Sequence, residues 1–584
     1  MGLISPTLPD LDVDDWRALP RAERQRTLAQ HWAVHGFGTP KGIYLLYALK
    51  IVLYVLGAAA FVTATPGIAG IEQWRDWWTE PVVFQKVIIW TLLFEVLGLG
   101  CGFGPLTLRF LPPIGAFLYW LRPGTIRLPA WPDRVPGTAG STRTLLDVVL
   151  YVAVVASAVW ILIAPADRYA DGGAPDVLAG AELTSMIEPT RFVPLLVLLP
   201  LLGLRDKTIF LAARAEHYWV TAFALLLPFV DMIIASQLVM VALWWGAATS
   251  KLNHHFPFVV ATMISNAPLY PKVVKKRLWK HHEHDVRPSR LAEAMAHGGT
   301  VVEFTLPLAL LVSTNSTVSW AVAIAMVLFH LHILSAIPMG VPLEWNVVMM
   351  FGAVWLFAEH GQVRFADTEY PWLILIGLVV VVSVVIYGNL RPRQVSFLPS
   401  MRYYAGNWPT SAWLFGRHAD GTSAEETYAA QVPKAAQLPQ RQLAKLYPPD
   451  VVDLLMGKVG AFRSLHTHGR ALLGLYAHAA GDHEERFVID GEMVAGSAIG
   501  WNFGDGHLHD EQLLSAIQER CRFAPCELRV IMLESQPLMK PVQRYRIVDA
   551  ATGVIEEGEV DVADMVAHQP WDGDLGFRVT KRVE

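Results

Sequence analysis

The sequence predicts an α-helical polytopic membrane bundle of about ten crossings followed by a C-terminal α+β soluble domain, and three observations carry that reading. Hydrophobic residues make up 53% of the 584 and charged residues only 17%, against roughly 45–50% and 25% in soluble domains. Mean hydropathy is +0.35. Apolar stretches of spanning length recur from Gly42 to Tyr387 and then cease, because beyond Leu390-Arg391-Pro392-Arg393 the composition is that of a soluble protein. A formal net charge of −5 lacks the basic excess that nucleic acid would require, so no nucleic-acid partner is expected. Three cysteines cannot build a disulfide framework, which fits a reducing compartment.

In chain order, residues 1–41 read as a polar, amphipathic N-terminal segment without a signal peptide, helical over Asp14–Val34 with Trp16, Leu19, Leu28 and Trp32 on one face. The membrane domain spans 42–390. Its clear crossings are Gly42–Thr65, Val82–Phe103, Leu145–Ala164, Phe229–Thr249, Thr317–Ile337, Trp345–Ala358 and Pro371–Tyr387. Phe192–Leu204, Thr208–Pro228 and Thr300–Val312 are shorter or carry charge. Arg109–Leu128, broken by Pro112-Pro113 and Pro123-Gly124, reads as an interfacial or re-entrant hairpin, as does His255–Leu269. Alternate loops hold twenty Lys/Arg on the N-terminal side and four on the other, namely Arg75, Arg168, Arg191 and Arg364. The positive-inside rule then puts both termini in the cytoplasm and the protein in the cell membrane. Residues 391–442 read as a linker containing an Ala/Gln-rich stretch, and 443–584 as the α+β domain. In that domain, Leu443–Ala480 is helical apart from Pro448-Pro449 and Asp510–Cys521 forms a helix. Strand character appears at Arg486–Ile489, Glu527–Leu533, Arg544–Val548 and Val554–Val560.

The densest chemistry lies between Ser250 and Thr300, where eight Lys/Arg accompany His254, His255, His281, His282, His284 and His297. His330 and His332, near the same end of their helix, bring the imidazoles to eight. Neutral imidazole suits iron or zinc, which makes His281, His282, His284, His330 and His332 candidate metal ligands. No H-x(3–4)-H box occurs among them, and a basic loop contacting anionic lipid headgroups explains the same residues. Glu95, Arg214, Glu216, Asp231 and Glu303 fall inside predicted membrane segments, where a charge must pair, protonate or line a wet cavity. Glu303, flanked by Val301, Val302 and Phe304, is the sharpest of these. It suits general acid/base chemistry or a hydrogen bond to a neighbouring helix, and its nearest candidate cations are Lys251 and His297. In the soluble domain His466-x-His468 and His507-x-His509 have the spacing of a strand chelate, with Asp505, Asp510 and Glu511 beside the second pair. G-x-G-x-x-G, G-x-x-x-x-G-K-[ST] and G-x-S-x-G motifs are absent, which argues against a nucleotide-fuelled pump.

SMRYYAGNW (Ser400–Trp408), WNFGDGHLHDEQLL (Trp501–Leu514) and ELRVIMLESQP (Glu527–Pro537) resemble a bacterial, largely actinobacterial, family of multi-pass transmembrane proteins of unknown function. More distantly, WGAATSKL (Trp245–Leu252), EFTLPLALL (Glu303–Leu311) and the His330–Phe357 stretch resemble the membrane core of vitamin K-dependent carboxylase-like domains. That resemblance implies a hydroquinone cofactor and a base at Lys251. It also implies an exoplasmic Lys251, whereas the charge count assigns that residue to the cytoplasm.

These readings lead to a membrane-embedded enzyme acting on a lipid or quinone-like substrate at the cytoplasmic leaflet, with Lys251, His254, His255 and Glu303 as acid/base residues and membrane lipids as partners. The alternative is a transporter, lipid-handling subunit or scaffold whose C-terminal domain docks a protein partner.

Overall fold

The computed structural model describes residues 2–68, 70–100, 116–169, 184–336, 343–391, 406–432, 437–501, 506–573 and 575–583. The N-terminal segment forms two helices, α1 (Val13–Ala18) and α2 (Arg21–His35), rather than the single one expected. Pro20 separates them, since its ring and missing N–H cannot continue α1. The bundle follows as α3 (Lys41–Thr63), α4 (Pro81–Val96), α5 (Leu145–Leu162), α6 (Val193–Arg205), α7 (Ala215–Ala224), α8 (Phe229–Ser250), α9 (Phe256–Asn266), α10 (Arg290–Val312), α11 (Ser316–Leu334), α12 (Leu343–Gly352) and α13 (Pro371–Leu390).

Among the described residues six helices are long and apolar enough to cross a membrane: α3, α5, α8, α10, α11 and α13. The other four expected crossings are shorter: α4 has 16 residues, α6 13, and α7 and α12 10 each. α12 continues as π-helical turns over Ala353–Glu359. Thr208–Pro228 is interrupted: a one-turn helix ends at Leu211, and Arg214, at a left-handed φ of 49°, starts α7. Conversely, α10 is longer than its apolar run, because Ser289 caps it well outside that run by accepting from Ala292 N–H. His255–Leu269 is a single helix, α9, with most of its residues buried. The proposed hairpin at Arg109–Leu128 lies outside the described residues as far as Gly115; beyond it, Ala116–Trp120 is helical. α4 sits at the centre with nearly every side chain covered, whereas only 11% of the apolar window of α13 is buried, the pattern of a lipid-facing rim helix.

The C-terminal domain is built on a six-stranded antiparallel sheet: β3 (Thr410–Phe415), β4 (Phe487–Asp490), β5 (Leu528–Leu533), β6 (Val542–Asp549), β7 (Gly553–Asp561) and β8 (Phe577–Arg582), in the order β8-β7-β6-β5-β3-β4. β3 lies within the stretch expected to be a linker. Its TSAWLF run is buried on both faces and therefore lacks the alternation of a half-exposed strand. One face of the sheet (Leu414, Ile531, Leu533, Ile547) packs on α15 (Thr467–Ala479), and the other (Trp413, Phe415, Val530) joins the main core. α14 (Pro449–Leu465) leads into α15.

The N-terminal helices and the C-terminal domain meet on one face of the bundle. α2 lies on α14 at close range: a Cβ on Gly457 would stand 2.4 Å from Leu28, and one on Gly460 2.7 Å from Gln25. The buried Lys458 ammonium donates to the carbonyls of Gly36 and Phe37, both at 2.9 Å, just past the end of α2. The other basic segments reach the same domain. Gln512 donates to the Pro129 carbonyl (2.8 Å) and the Gln569 carboxamide oxygen accepts from Val286 N–H (3.0 Å), while Arg143 pairs with Asp206 at 2.8 Å and ties in the Arg205/Lys207 turn. The four-charge loops gather at the opposite end, where Glu80 accepts from Ser185 N–H (2.7 Å), Trp78 from the Trp355 indole (3.0 Å) and Ser313 from Arg364 (3.1 Å).

Candidate functional site

Two lysine–carboxylate pairs are buried in the part of the bundle nearest the C-terminal domain. Lys251 caps α8 and forms an ion pair with Glu303 on α10; the two residues are 8% and 3% exposed. The phenyl rings of Phe256 and Phe329 flank the ammonium at 5.4 and 5.9 Å. Beside it, the Trp244 indole N–H donates to His330 Nε2 at 3.0 Å, so the His330 Nδ1–H donates to Asn346 Oδ1 at 2.8 Å. Two residues before Asn346, Glu344 pairs with Lys50 of α3 at 3.5 Å, and Lys50 also donates to the Gly100 carbonyl at 2.6 Å. The Glu95 carboxylate, at the end of α4, is wholly buried and converges with Glu344 on Gly100. A Cβ there would come within 2.0 Å of one carboxylate and 2.9 Å of the other, and the Arg214 guanidinium is close enough to act on both. Six helices, α3, α4, α8, α10, α11 and α12, thereby contribute to one polar layer inside an apolar bundle.

Of the sequence candidates, the structure brings together Lys251 and Glu303. His254 is exposed. His255 is buried at the start of α9 and faces the C-terminal domain, where it acts on His466 and His468. The metal candidates separate. His281 and His284 stack at 4.8 Å on a hairpin, His330 is committed through both ring nitrogens, and His332 is exposed and bonded to Tyr270. His297 is also exposed. Asp231 proves structural, its carboxylate accepting from Glu369 and Tyr370 N–H at 2.9 and 2.7 Å. His466 is the junction between α14 and α15 and His468 lies in the first turn of α15, so the two do not share a strand. In the cleft of about 660 Å³ over the sheet, His507 meets Glu534 at 3.0 Å and His509 Nδ1 shares a hydrogen bond with Ser411 Oγ at 2.7 Å. Asp505 lies outside the described residues.

Lys50, Glu344, Asn346 and Trp244 escaped the sequence reading. A lone lysine inside the apolar run of α3 is the available signal for Lys50, and Glu344 stands one residue before the apolar segment that begins at Trp345.

A groove of about 370 Å³ runs along the other side of α8 to α13. It is lined by Leu238, Val241, Trp245, Leu378 and Val382, with Asn389 and Asn407 at the end near the C-terminal domain. From Leu238 to Ser250 the α8 wall rises about 18 Å.

Helices of this kind around a polar layer, with the N-terminal helices and the C-terminal domain on one face, define a multi-pass membrane protein with an ionisable centre. The chain belongs to the family described as transmembrane protein of unknown function (DUF3556), whose model matches residues 1–580. No curated protein and no solved structure matches it, so these comparisons support neither a bacterial origin nor the carboxylase-like resemblance.

Proposed function

We propose that this protein is a membrane-embedded enzyme whose polar layer performs acid/base chemistry on a lipid or quinone-like amphiphile. The observation that carries this is the pair of buried lysine–carboxylate contacts, Lys251–Glu303 and Lys50–Glu344, within helices that are otherwise apolar. Taking such charges out of water costs several kcal/mol per ion and a well-packed apolar pair would often be at least as stable, so adhesion alone is a poor reason for them. Charged residues inside a bundle mark substrate or proton pathways by default. Lys251 with Glu303, and Glu95 with Glu344, offer a base and an acid within one layer. The groove between α8 and α13 supports an elongated apolar substrate, and the basic excess on the C-terminal-domain face supports its cytoplasmic placement in the cell membrane.

The groove also favours a second reading, a lipid-handling protein without chemistry. Lipid profiling separates the two in cells lacking the protein and complemented with either wild type or the Lys251→Met/Glu303→Gln double variant. The enzyme reading expects wild type to restore one lipid species while the folded double variant lets its precursor accumulate. Equal restoration by both proteins rejects chemistry at this pair, and an unchanged lipid profile on deletion rejects a lipid substrate.

A further inference from the structure

The histidine-rich loop is anchored at a short hairpin, β1 (Trp279–His281) and β2 (Asp285–Pro288). Trp279 is buried and its indole N–H reaches the Ala33 carbonyl (3.1 Å) and Ser265 Oγ (3.0 Å). Across the hairpin, the Gln569 carboxamide accepts from Val286 N–H and donates to Asp285 at 2.7 Å. The intervening turn is held too, because His284 N–H donates to the His281 carbonyl at 2.9 Å and the Gln30 carboxamide donates to that of Glu283. The backbone is therefore set by α2, α9 and the C-terminal domain, while the side chains at its tip project into solvent.

We propose that His281, Glu283 and His284 form an exchangeable site for a divalent transition-metal ion. One ligand atom from each lies within 4.8 Å of the others, and the two imidazoles are nearly parallel, 15° apart. Two imidazoles and a carboxylate are a donor set that zinc and its first-row neighbours accept. All three residues are exposed, so water completes the coordination shell and the ion exchanges freely. His282, the residue that sequence spacing would include, falls outside the group; its ring stacks on His281 at 5.9 Å and its Nε2 meets the Glu283 carboxylate at 3.5 Å. The ion would clamp a turn that already bonds to α2, so it would tighten the contact between the loop and the N-terminal helix. This site is independent of the buried layer.

The test is a titration of tag-free, detergent-purified protein with Zn²⁺ against a chromophoric chelator. Wild type is expected to show a saturable site. His281→Ala, Glu283→Gln and His284→Ala should each weaken it by about tenfold or more, at least the loss typical of removing even an outer-shell partner of a metal. His282→Ala, which removes a neighbour of two ligands but no ligand, should weaken it less than any of the three. The proposal is overturned by the absence of saturable binding in wild type, or by His282→Ala losing zinc while Glu283→Gln retains it.

Discussion

Four lysines inside the protein are held in two ways. Among the described residues Lys458 and Lys86 have no carboxylate partner. Each donates to main-chain carbonyls at helix ends: Lys458 to Gly36 and Phe37 beyond α2, and Lys86 to Ala164 (3.0 Å) after α5 and Phe61 (3.3 Å) in the last turns of α3. Unsatisfied carbonyls and the negative end of the helix dipole accommodate the ammonium, and the lysine in turn ties two elements together. Lys251 and Lys50 instead meet carboxylates that the sequence had to place in the bundle at a cost. The first arrangement needs no function to explain it. The second exceeds what packing requires, and the functional reading rests on that excess.

Substitutions sharpen the contrast, beginning with the largest expected effect. Glu303→Gln strands the Lys251 ammonium without a counter-charge and should cost about 3–5 kcal/mol. Thermal unfolding in detergent should show this, with most of the loss recovered in Lys251→Met/Glu303→Gln; strictly additive effects would mean that the residues do not act as one pair. Lys458→Met should cost less, about 1.5–3 kcal/mol for a charge-assisted hydrogen bond. It should free α1 and α2 for limited proteolysis, and removal of any single carboxylate should not compensate it.

Acid should strain the junction between the N-terminal helices and the C-terminal domain by about 2 kcal/mol per histidine between pH 6.5 and 5. Burial, with help from Lys458 for His31 and Arg463 for His466, pushes each of these imidazoles down to about 3. Between pH 6.5 and 3 the unfolded chain then binds more protons than the folded one, so stability falls as pH falls through that window. His466→Gln, which retains a donor for the Phe462 carbonyl that His466 Nδ1 meets at 2.7 Å, should flatten the pH dependence of the melting temperature; an unchanged slope would show that His466 is not one of the groups responsible.

Parts of this organisation were visible in the residues. The end of the apolar runs at Leu390 marks the end of α13, and the positions of Lys251 and Glu303 at one end of neighbouring helices anticipated their contact. β3 was hidden because a strand buried on both faces looks like any short apolar run. The full length of α10 was hidden because its first turns, with Glu293 and His297, are polar and exposed. Lys86 passed unnoticed inside an apolar segment, since only the fold shows that the ends of α3 and α5 stop beside it. Glu283 does not stand out as a ligand in the sequence because spacing alone favours the three histidines of the turn.

The most direct test of the functional layer is the charge-swapped variant, Lys251→Glu combined with Glu303→Lys, assayed for stability and for restoration of the lipid profile in cells lacking the protein. The swap keeps an ion pair between α8 and α10 but places the carboxylate where the ammonium stood. The account predicts a protein that folds and reaches the membrane as wild type does yet fails to restore the lipids. Full restoration by the swapped pair would contradict it and reduce Lys251 and Glu303 to structural adhesion.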